Sequence, residues 1–199
     1  MNESYKSYMT KLSQNWLEVL VPFSYEYNKK FSGVEISRMT KIPQKTVSRY
    51  LRRLVLDNVL RVDSRGSSNF YYIDLSDERA GIIFNFIEAY KSFVFSGNSK
   101  LWKELRGVVP FGDFVLFGSR VKGYSTSSSD IDLVIFSKST EKLKSVLRGM
   151  PKVQAHVVSF EKFERLVLGK DTLALEVLKA HVVFGDTQRF VDLCRRFYG

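Results

Sequence analysis

The stretch FVLFGSRVKG, residues 114–123, and the stretch SDIDLVIF, residues 129–136, decide the fold of the second half of the chain. Each contains a short unbroken apolar run, which is typical of a strand buried on both faces. The first run ends at once in the glycine and serine at 118–119, and the second begins with Asp130 and Asp132. Because alternate residues of a strand point to the same face, we expect the two carboxylates to lie side by side.

These two segments together predict a site for a phosphate group and a divalent cation. Adjacent carboxylates repel each other unless a cation lies between them, and Mg²⁺ prefers such oxygen ligands together with phosphate oxygens. Gly118 permits a close approach of the backbone, and Ser119 offers its hydroxyl and free N–H groups at the start of a helix. Arg120 and Lys122 can add charge-assisted contacts to the same phosphate.

The combined motif resembles the signature of the DNA polymerase β-like nucleotidyltransferase superfamily, in particular its minimal members, over about residues 97–160. The resemblance implies a small mixed-sheet fold with helices packed on it. It also implies transfer of a nucleoside monophosphate from an NTP to an acceptor hydroxyl, with two Mg²⁺ ions expected for an active enzyme. By the same resemblance, Asp130 and Asp132 are catalytic and bind metal, and the nucleotide is bound by Gly118, Ser119, Arg120 and Lys122.

The third carboxylate of that family is missing at the place where it is expected. The strand predicted at residues 153–158 contains no acid, and Gln154 and His156 share one of its faces. A neutral imidazole can ligate metal or act as a general base, so His156 is the candidate third catalytic residue. The alternatives are a polar side chain that lines a cleft with a single remaining metal ion, or a domain that binds nucleotide without turning it over.

The first part of the chain has a different pattern. From Val47 to Val55, apolar residues recur at spacings of three and four positions, which defines the buried stripe of an amphipathic helix. Around it, the spacing predicts a helix over 12–30 bent at Pro22, a helix over 34–40, a turn at 41–43, a helix over 44–58, and strands at 60–62 and 70–73 around a turn at 65–69.

This succession, over about residues 10–76, resembles the winged helix-turn-helix family. In that family the second helix of the pair lies in the DNA major groove. Residues 38–65 contain eight cations and two acids. The net charge of this segment is therefore +6, which is more than half of the net charge of +10 of the whole chain. Such a concentration is typical of phosphate binding. The alternatives are a solvated basic face or a winged helix that only contacts protein. The candidate contacts to double-stranded DNA are Gln44, Lys45, Thr46, Ser48, Arg49, Arg52, Arg53, Arg61 and Arg65.

Composition limits the class of protein. The chain has 199 residues, of which 44% are hydrophobic and 14% aromatic, as in a folded protein. It has no apolar run long enough for a membrane span, and its single cysteine, Cys194, cannot form an intramolecular disulfide. We therefore expect a cytoplasmic protein that does not bind membranes.

The resulting prediction is an α+β chain with a winged helix domain at 1–76, a connecting helix at 77–96 and a minimal nucleotidyltransferase domain at 97–199. The expected partners are double-stranded DNA, an NTP, a second copy of the chain in a homodimer, and a toxin-like protein, in a regulatory or antitoxin-like role. The alternative is a transcriptional regulator whose nucleotidyltransferase-like domain senses nucleotide or mediates dimerisation without catalysis.

Overall fold

Helices and two separate sheets build the chain. The computed structural model describes residues 14–98, 100–122, 126, 129–138 and 140–199. The chain divides into two units, residues 1–87 with Gly199 and residues 88–198. Each unit contains one sheet together with helices, so the predicted α+β class is confirmed. None of the helices in the described part of the chain is long and apolar enough to cross a membrane.

The first unit packs short helices beside a small antiparallel sheet. The predicted helix over 12–30 is wrong in length, because Pro22 opens a 3₁₀ turn over Val21–Ser24 directly after the first helix ends. Residues 12 and 13 lie outside the described part of the chain. The elements are α1 (Gln14–Leu20), β1 (Phe31–Ser32), α2 (Gly33–Thr40), α3 (Gln44–Leu56), β2 (Arg61–Arg65) and β3 (Ser68–Tyr72), with strand order β1-β3-β2.

The two helices α2 and α3 begin where local chemistry allows them to. Ser32 caps α2 in a capping box: its hydroxyl accepts the Glu35 N–H at 3.3 Å, and its own N–H donates to the Glu35 carboxylate at 2.8 Å. The hydrogen bonds that the Ser32 N–H and the Ser32 hydroxyl donate to the Glu35 carboxylate hold the pKa of Glu35 below its usual value. Lys41, with a φ of 59°, ends α2, and α3 follows after Pro43.

The second unit is a mixed sheet with helices on both faces. Strand β4 (Asp113–Phe117) runs antiparallel to its two neighbours β5 (Ile131–Phe136) and β7 (His181–Phe184), and β5 runs parallel to β6 (Val153–Val158), giving the order β6-β5-β4-β7. The helix α4 (Ala80–Asn98) precedes this sheet. The remaining elements are α5 (Lys100–Leu105), α6 (Ser119–Lys122), α7 (Glu141–Arg148), α8 (Phe160–Leu168), α9 (Thr172–Lys179) and α10 (Thr187–Tyr198).

The alternation of β5 separates two cores. Ile131, Leu133 and Ile135 are buried in a cluster that includes Leu105 and Leu143 of the helices on one face. On the other face, the ring of Phe136 contacts the rings of α8 residues, with centroids 5.0 and 5.2 Å away. Because Asp132 alternates with the first set, it lies on the second face, at the start of β5.

Three ionisable side chains are buried together behind β7. Glu88 accepts a hydrogen bond from Lys91 at 2.8 Å and lies 3.0 Å from His181 Nε2, while His181 Nδ1 lies 3.1 Å from the Val177 carbonyl. Burial lowers the pKa of His181 and of Lys91, whereas Lys91 and His181 together hold the pKa of Glu88 low against the effect of its own burial. The network therefore fixes α4 to β7 through groups that have no access to water.

Removing one member of this network leaves a buried charge without its partner. We expect Glu88→Ala to lower the free energy of unfolding by about 3–5 kcal/mol, measured by urea denaturation followed by circular dichroism. Glu78→Ala is the control because Glu78 is exposed, and it should change stability by no more than about 0.5 kcal/mol. A Glu88→Ala protein as stable as the control would contradict the structural role of the network.

Candidate functional site

The turn after β4 is built around the absence of a side chain at Gly118. This residue has a φ of 76°, and a Cβ placed on it would lie 2.2 Å from Asp132 Oδ2. The N–H groups of Val121 and Lys122 both donate to the Gly118 carbonyl, at 3.2 and 3.1 Å, and close the turn into α6. The Asp132 carboxylate therefore packs directly on the backbone that carries Ser119.

The two carboxylates occupy different environments. Asp130 is exposed just before β5, whereas Asp132 is half-buried and lies opposite Phe117 in the antiparallel ladder. Burial raises the pKa of Asp132, and the Asp130 carboxylate raises it further, against a smaller opposite effect of His156. A divalent cation would relieve this repulsion, so the oxygen donors present fit one Mg²⁺ that also binds phosphate oxygens.

Gln154 makes the direct contact with this pair from β6. Its Nε2 donates to Asp130 Oδ2 at 2.7 Å, and the parallel ladder places Gln154 beside Asp132. His156 is exposed two residues further on, beside Val134. Among the residues that the structure describes, no three acidic, histidine or cysteine side chains are grouped to hold a metal ion. The proposed catalytic trio of Asp130, Asp132 and His156 is therefore not assembled as a ligand cluster.

The two cations expected at the phosphate are engaged by protein groups. Arg120 Nε donates to the Asp130 carbonyl at 3.4 Å, and its Nη2 donates to the Ser129 carbonyl, so this side chain supports the backbone that leads into β5. Lys122 pairs with Glu176 at 2.9 Å. Hydrogen bonds from Lys179 and Lys122 lower the pKa of Glu176 to about 2. These contacts assign Arg120 a positioning role that its sequence position alone did not indicate.

The candidate DNA contacts of the first unit begin on α3. The buried face of this helix carries Val47, Leu51 and Leu54. Helical spacing places Lys45, Arg49 and Arg52 together on the opposite, exposed face. Gln44 is exposed at the start of the helix, and Thr46 and Ser48 are half-buried on its flanks.

The remaining three candidates form ion pairs within the first unit. Arg53 pairs with Asp57 at 2.9 Å, Arg65 with Asp63 at 2.8 Å, and Arg61 with Asp77 at 3.4 Å. The hairpin turn is also tighter than predicted, because β2 and β3 are joined by residues 66 and 67 alone. Carboxylates therefore compensate the charge of Arg53 on α3 and of both arginines on the hairpin strand β2.

The second unit combines a mixed sheet, a glycine-serine turn at 118–119 and the adjacent carboxylates of Asp130 and Asp132, and this combination is consistent with a nucleotidyltransferase-like domain. Residues 99–193, a little under half of the chain, match the family model described as a nucleotidyltransferase domain. This match supports the nucleotidyltransferase part of the resemblance seen in the sequence. No curated protein matches the chain.

Two solved structures share a distant likeness with the chain. The DNA-binding protein Sso10a-2 from Sulfolobus solfataricus is 18% identical, with 45% of this chain and 95% of that one covered and a TM-score of 0.32. Human N-acetylserotonin methyltransferase in complex with SAM is 13% identical, with 55% and 35% covered and a TM-score of 0.28. Both TM-scores are too low to bear on the fold or function of this chain.

The contact at Gly118 leads to a matched pair of substitutions. Gly118→Ala adds both backbone strain and a clash with Asp132, whereas Gly66→Ala adds strain alone, because Gly66 has a φ of 59° and a Cβ added there would have no atom within 4 Å. We expect Gly66→Ala to cost about 1–2 kcal/mol and Gly118→Ala to cost more, measured by urea denaturation. Equal losses in the two variants would show that the Asp132 contact contributes nothing.

Proposed function

We propose that the chain is a DNA-binding protein whose second unit binds Mg-NTP and transfers the nucleoside monophosphate to a hydroxyl acceptor on protein or RNA. The observation that carries the proposal is the Asp132 carboxylate, which packs on Gly118 and lies next to Asp130 in the sequence segment that matches the nucleotidyltransferase family. The turn proposed to bind phosphate and the two carboxylates proposed to bind metal thus lie at the same end of the central strands β4 and β5.

In the proposed reaction, the acceptor oxygen forms a bond to the α-phosphorus, the bond from that phosphorus to pyrophosphate breaks, and the hydroxyl proton leaves. Mg²⁺ supplies neutralisation of the triphosphate charge when it is bound. Gly118 and Ser119 present backbone N–H groups to the phosphates, while Asp130 and Asp132 hold the metal. His156 is the candidate to receive the proton, since it is an exposed imidazole on the same face of β6 as Gln154.

Nucleotide binding and transfer are tested separately. We expect Asp132→Asn to weaken Mg-NTP binding at least about 10-fold, since a metal ligand should matter no less than the second-shell groups that cost 10–100-fold. Calorimetric titration measures binding, and incorporation of radiolabel from α-³²P-labelled NTPs into protein or RNA measures transfer. Asp192→Asn is the control, because Asp192 is an exposed carboxylate on α10. Equal binding by both variants would exclude the carboxylate site.

The second candidate is a regulator whose second unit binds nucleotide without transfer. The hydrogen bond from Gln154 to Asp130 favours it, because the side chain that contacts the carboxylate pair from β6 is a neutral amide and not the third acid that the family resemblance implies. Tight Mg-NTP binding with no radiolabel on any acceptor would select this candidate over the enzyme.

For the first unit, we propose a winged helix-turn-helix that binds duplex DNA with α3 in the major groove and the β2–β3 hairpin as the wing. Support comes from the order of elements, from the short turn between α2 and α3, and from the cations on the face of α3 opposite its buried stripe. A homodimer belongs to this proposal, since such proteins read paired half-sites. A toxin-like protein partner remains part of the proposed regulatory role.

The DNA proposal predicts a change in both affinity and salt dependence. Arg49→Ala combined with Arg52→Ala should weaken duplex binding and reduce the slope of log K against log salt by about 2, because each lost phosphate contact contributes about 0.9. Lys162→Ala combined with Arg165→Ala removes the same charge from exposed positions of α8 and should leave the slope unchanged. Fluorescence anisotropy across a salt series measures both, and identical slopes for the two double variants would refute the role of α3.

A further inference from the structure

Gln154 is the β6 side chain that contacts the carboxylate pair. Strand β6 lies at the edge of the sheet, next to β5, and its ladder pairs Gln154 with Asp132. Within the described part of the chain, no further strand lies beyond β6 to supply another side chain on that side. On that side of the carboxylate pair, residue 154 is therefore the strand position from which a further ligand can be added.

The contact made by Gln154 opposes a second cation. Its Nε2 donates to Asp130 Oδ2 at 2.7 Å, so the amide directs hydrogen atoms, which repel a cation, at one oxygen of the pair. An amide also brings no negative charge. Two divalent ions repel about four times as strongly as two unit charges at the same separation, because the energy scales with the product of the charges. Two carboxylates alone compensate only half of the charge of such a pair of ions.

The nearest alternatives to Gln154 do not supply the missing charge. His156 is neutral when it ligates metal and lies two residues further along β6, beside Val134. Glu176 already accepts hydrogen bonds from Lys122 and Lys179. The described residues contain no group of three acidic, histidine or cysteine side chains that could hold a metal ion.

We infer that Gln154 limits the carboxylate pair to one divalent cation, which binds together with the triphosphate, and that the side facing the acceptor has no ion of its own. This inference rests on the proposed binding of Mg-NTP and deepens it by assigning the metal stoichiometry to one residue. Nucleotide binding is retained under this arrangement, whereas activation of an acceptor hydroxyl is left without the charge that a second ion supplies. Restoring a carboxylate at 154 should restore the second ion.

The test counts Mn²⁺ ions bound by the full chain in the presence of each of the four α,β-methylene nucleoside triphosphates. Electron paramagnetic resonance of free Mn²⁺ gives the number bound per chain. We expect one ion for the wild type and two for Gln154→Glu, with spin coupling between ions about 4 Å apart in the variant. Gln154→Ala, which removes the amide donor without adding charge, should still bind one ion.

A matched control is available on α10. The Gln188 amide donates to Asp192 Oδ1 at 2.9 Å, so Gln188→Glu repeats the same change of amide to carboxylate beside an aspartate, away from the glycine-serine turn. This variant should bind one ion with nucleotide. Because Gln154 is exposed, Gln154→Glu is expected to fold, and circular dichroism checks this; Gln154→Asp is the second carboxylate variant if it does not.

The outcomes separate this inference from the proposed function. Two ions on the wild type would overturn the inference and leave Mg-NTP binding intact. One ion on both the wild type and the folded carboxylate variant would also overturn it, since residue 154 would then not set the number. No Mn²⁺-nucleotide binding by the wild type would instead contradict the proposed function itself, and the inference with it.

Discussion

The close contact between the Asp132 carboxylate and the backbone of Gly118 is the constraint on which the rest of the site depends. It requires that the residue after β4 have no side chain, because a Cβ there would overlap Asp132 Oδ2. It also requires the register that pairs Phe117 with Asp132, since a slip of one residue would turn the carboxylate to the opposite face. The glycine-serine turn and the Asp132 carboxylate are therefore specified together by one local geometry.

The same register extends across all four strands of the sheet. Gln154, Asp132, Phe117 and His181 form one row from β6 to β7. One end of the row is exposed and carries the Asp130 contact of Gln154, whereas the other end is buried and carries the hydrogen bond between His181 and Glu88. A satisfied buried network rigidifies what it contacts, so β7 is held in place at the end of the row away from the site. Rigidity behind the turn and openness in front of it are properties that a ligand site requires.

How far the sequence predicts this structure depends on the range of the interaction. The strands β4, β5 and β6, the helix α2 and the buried stripe of α3 follow from local sequence patterns, and all of them form. Which of Gln154 and His156 contacts the carboxylate pair depends on the register between the parallel strands β5 and β6, and periodicity along one strand does not give this register. The pairing of Lys122 with Glu176 joins residues 54 apart in the chain, and no local pattern indicates it. The prediction of a helix over 12–30 was wrong because the apolar spacing continues past Pro22, whereas the α-helical backbone does not.

The cations of the basic segment at 38–65 differ in whether they pair with a carboxylate. Its net charge counts Arg53, Arg61 and Arg65 equally with Lys45 and Arg49, although the first three contact carboxylates. Exposed ion pairs contribute little to stability, so Arg65 can exchange Asp63 for a phosphate at small cost. Arg61 is held more firmly, because it has three partners within the described part of the chain. It pairs with Asp77, Asp74 lies 4.0 Å from it, and it donates a hydrogen bond to Asn58. Under the proposed function, Arg65 at the tip of the hairpin would therefore reach a DNA phosphate more readily than Arg61.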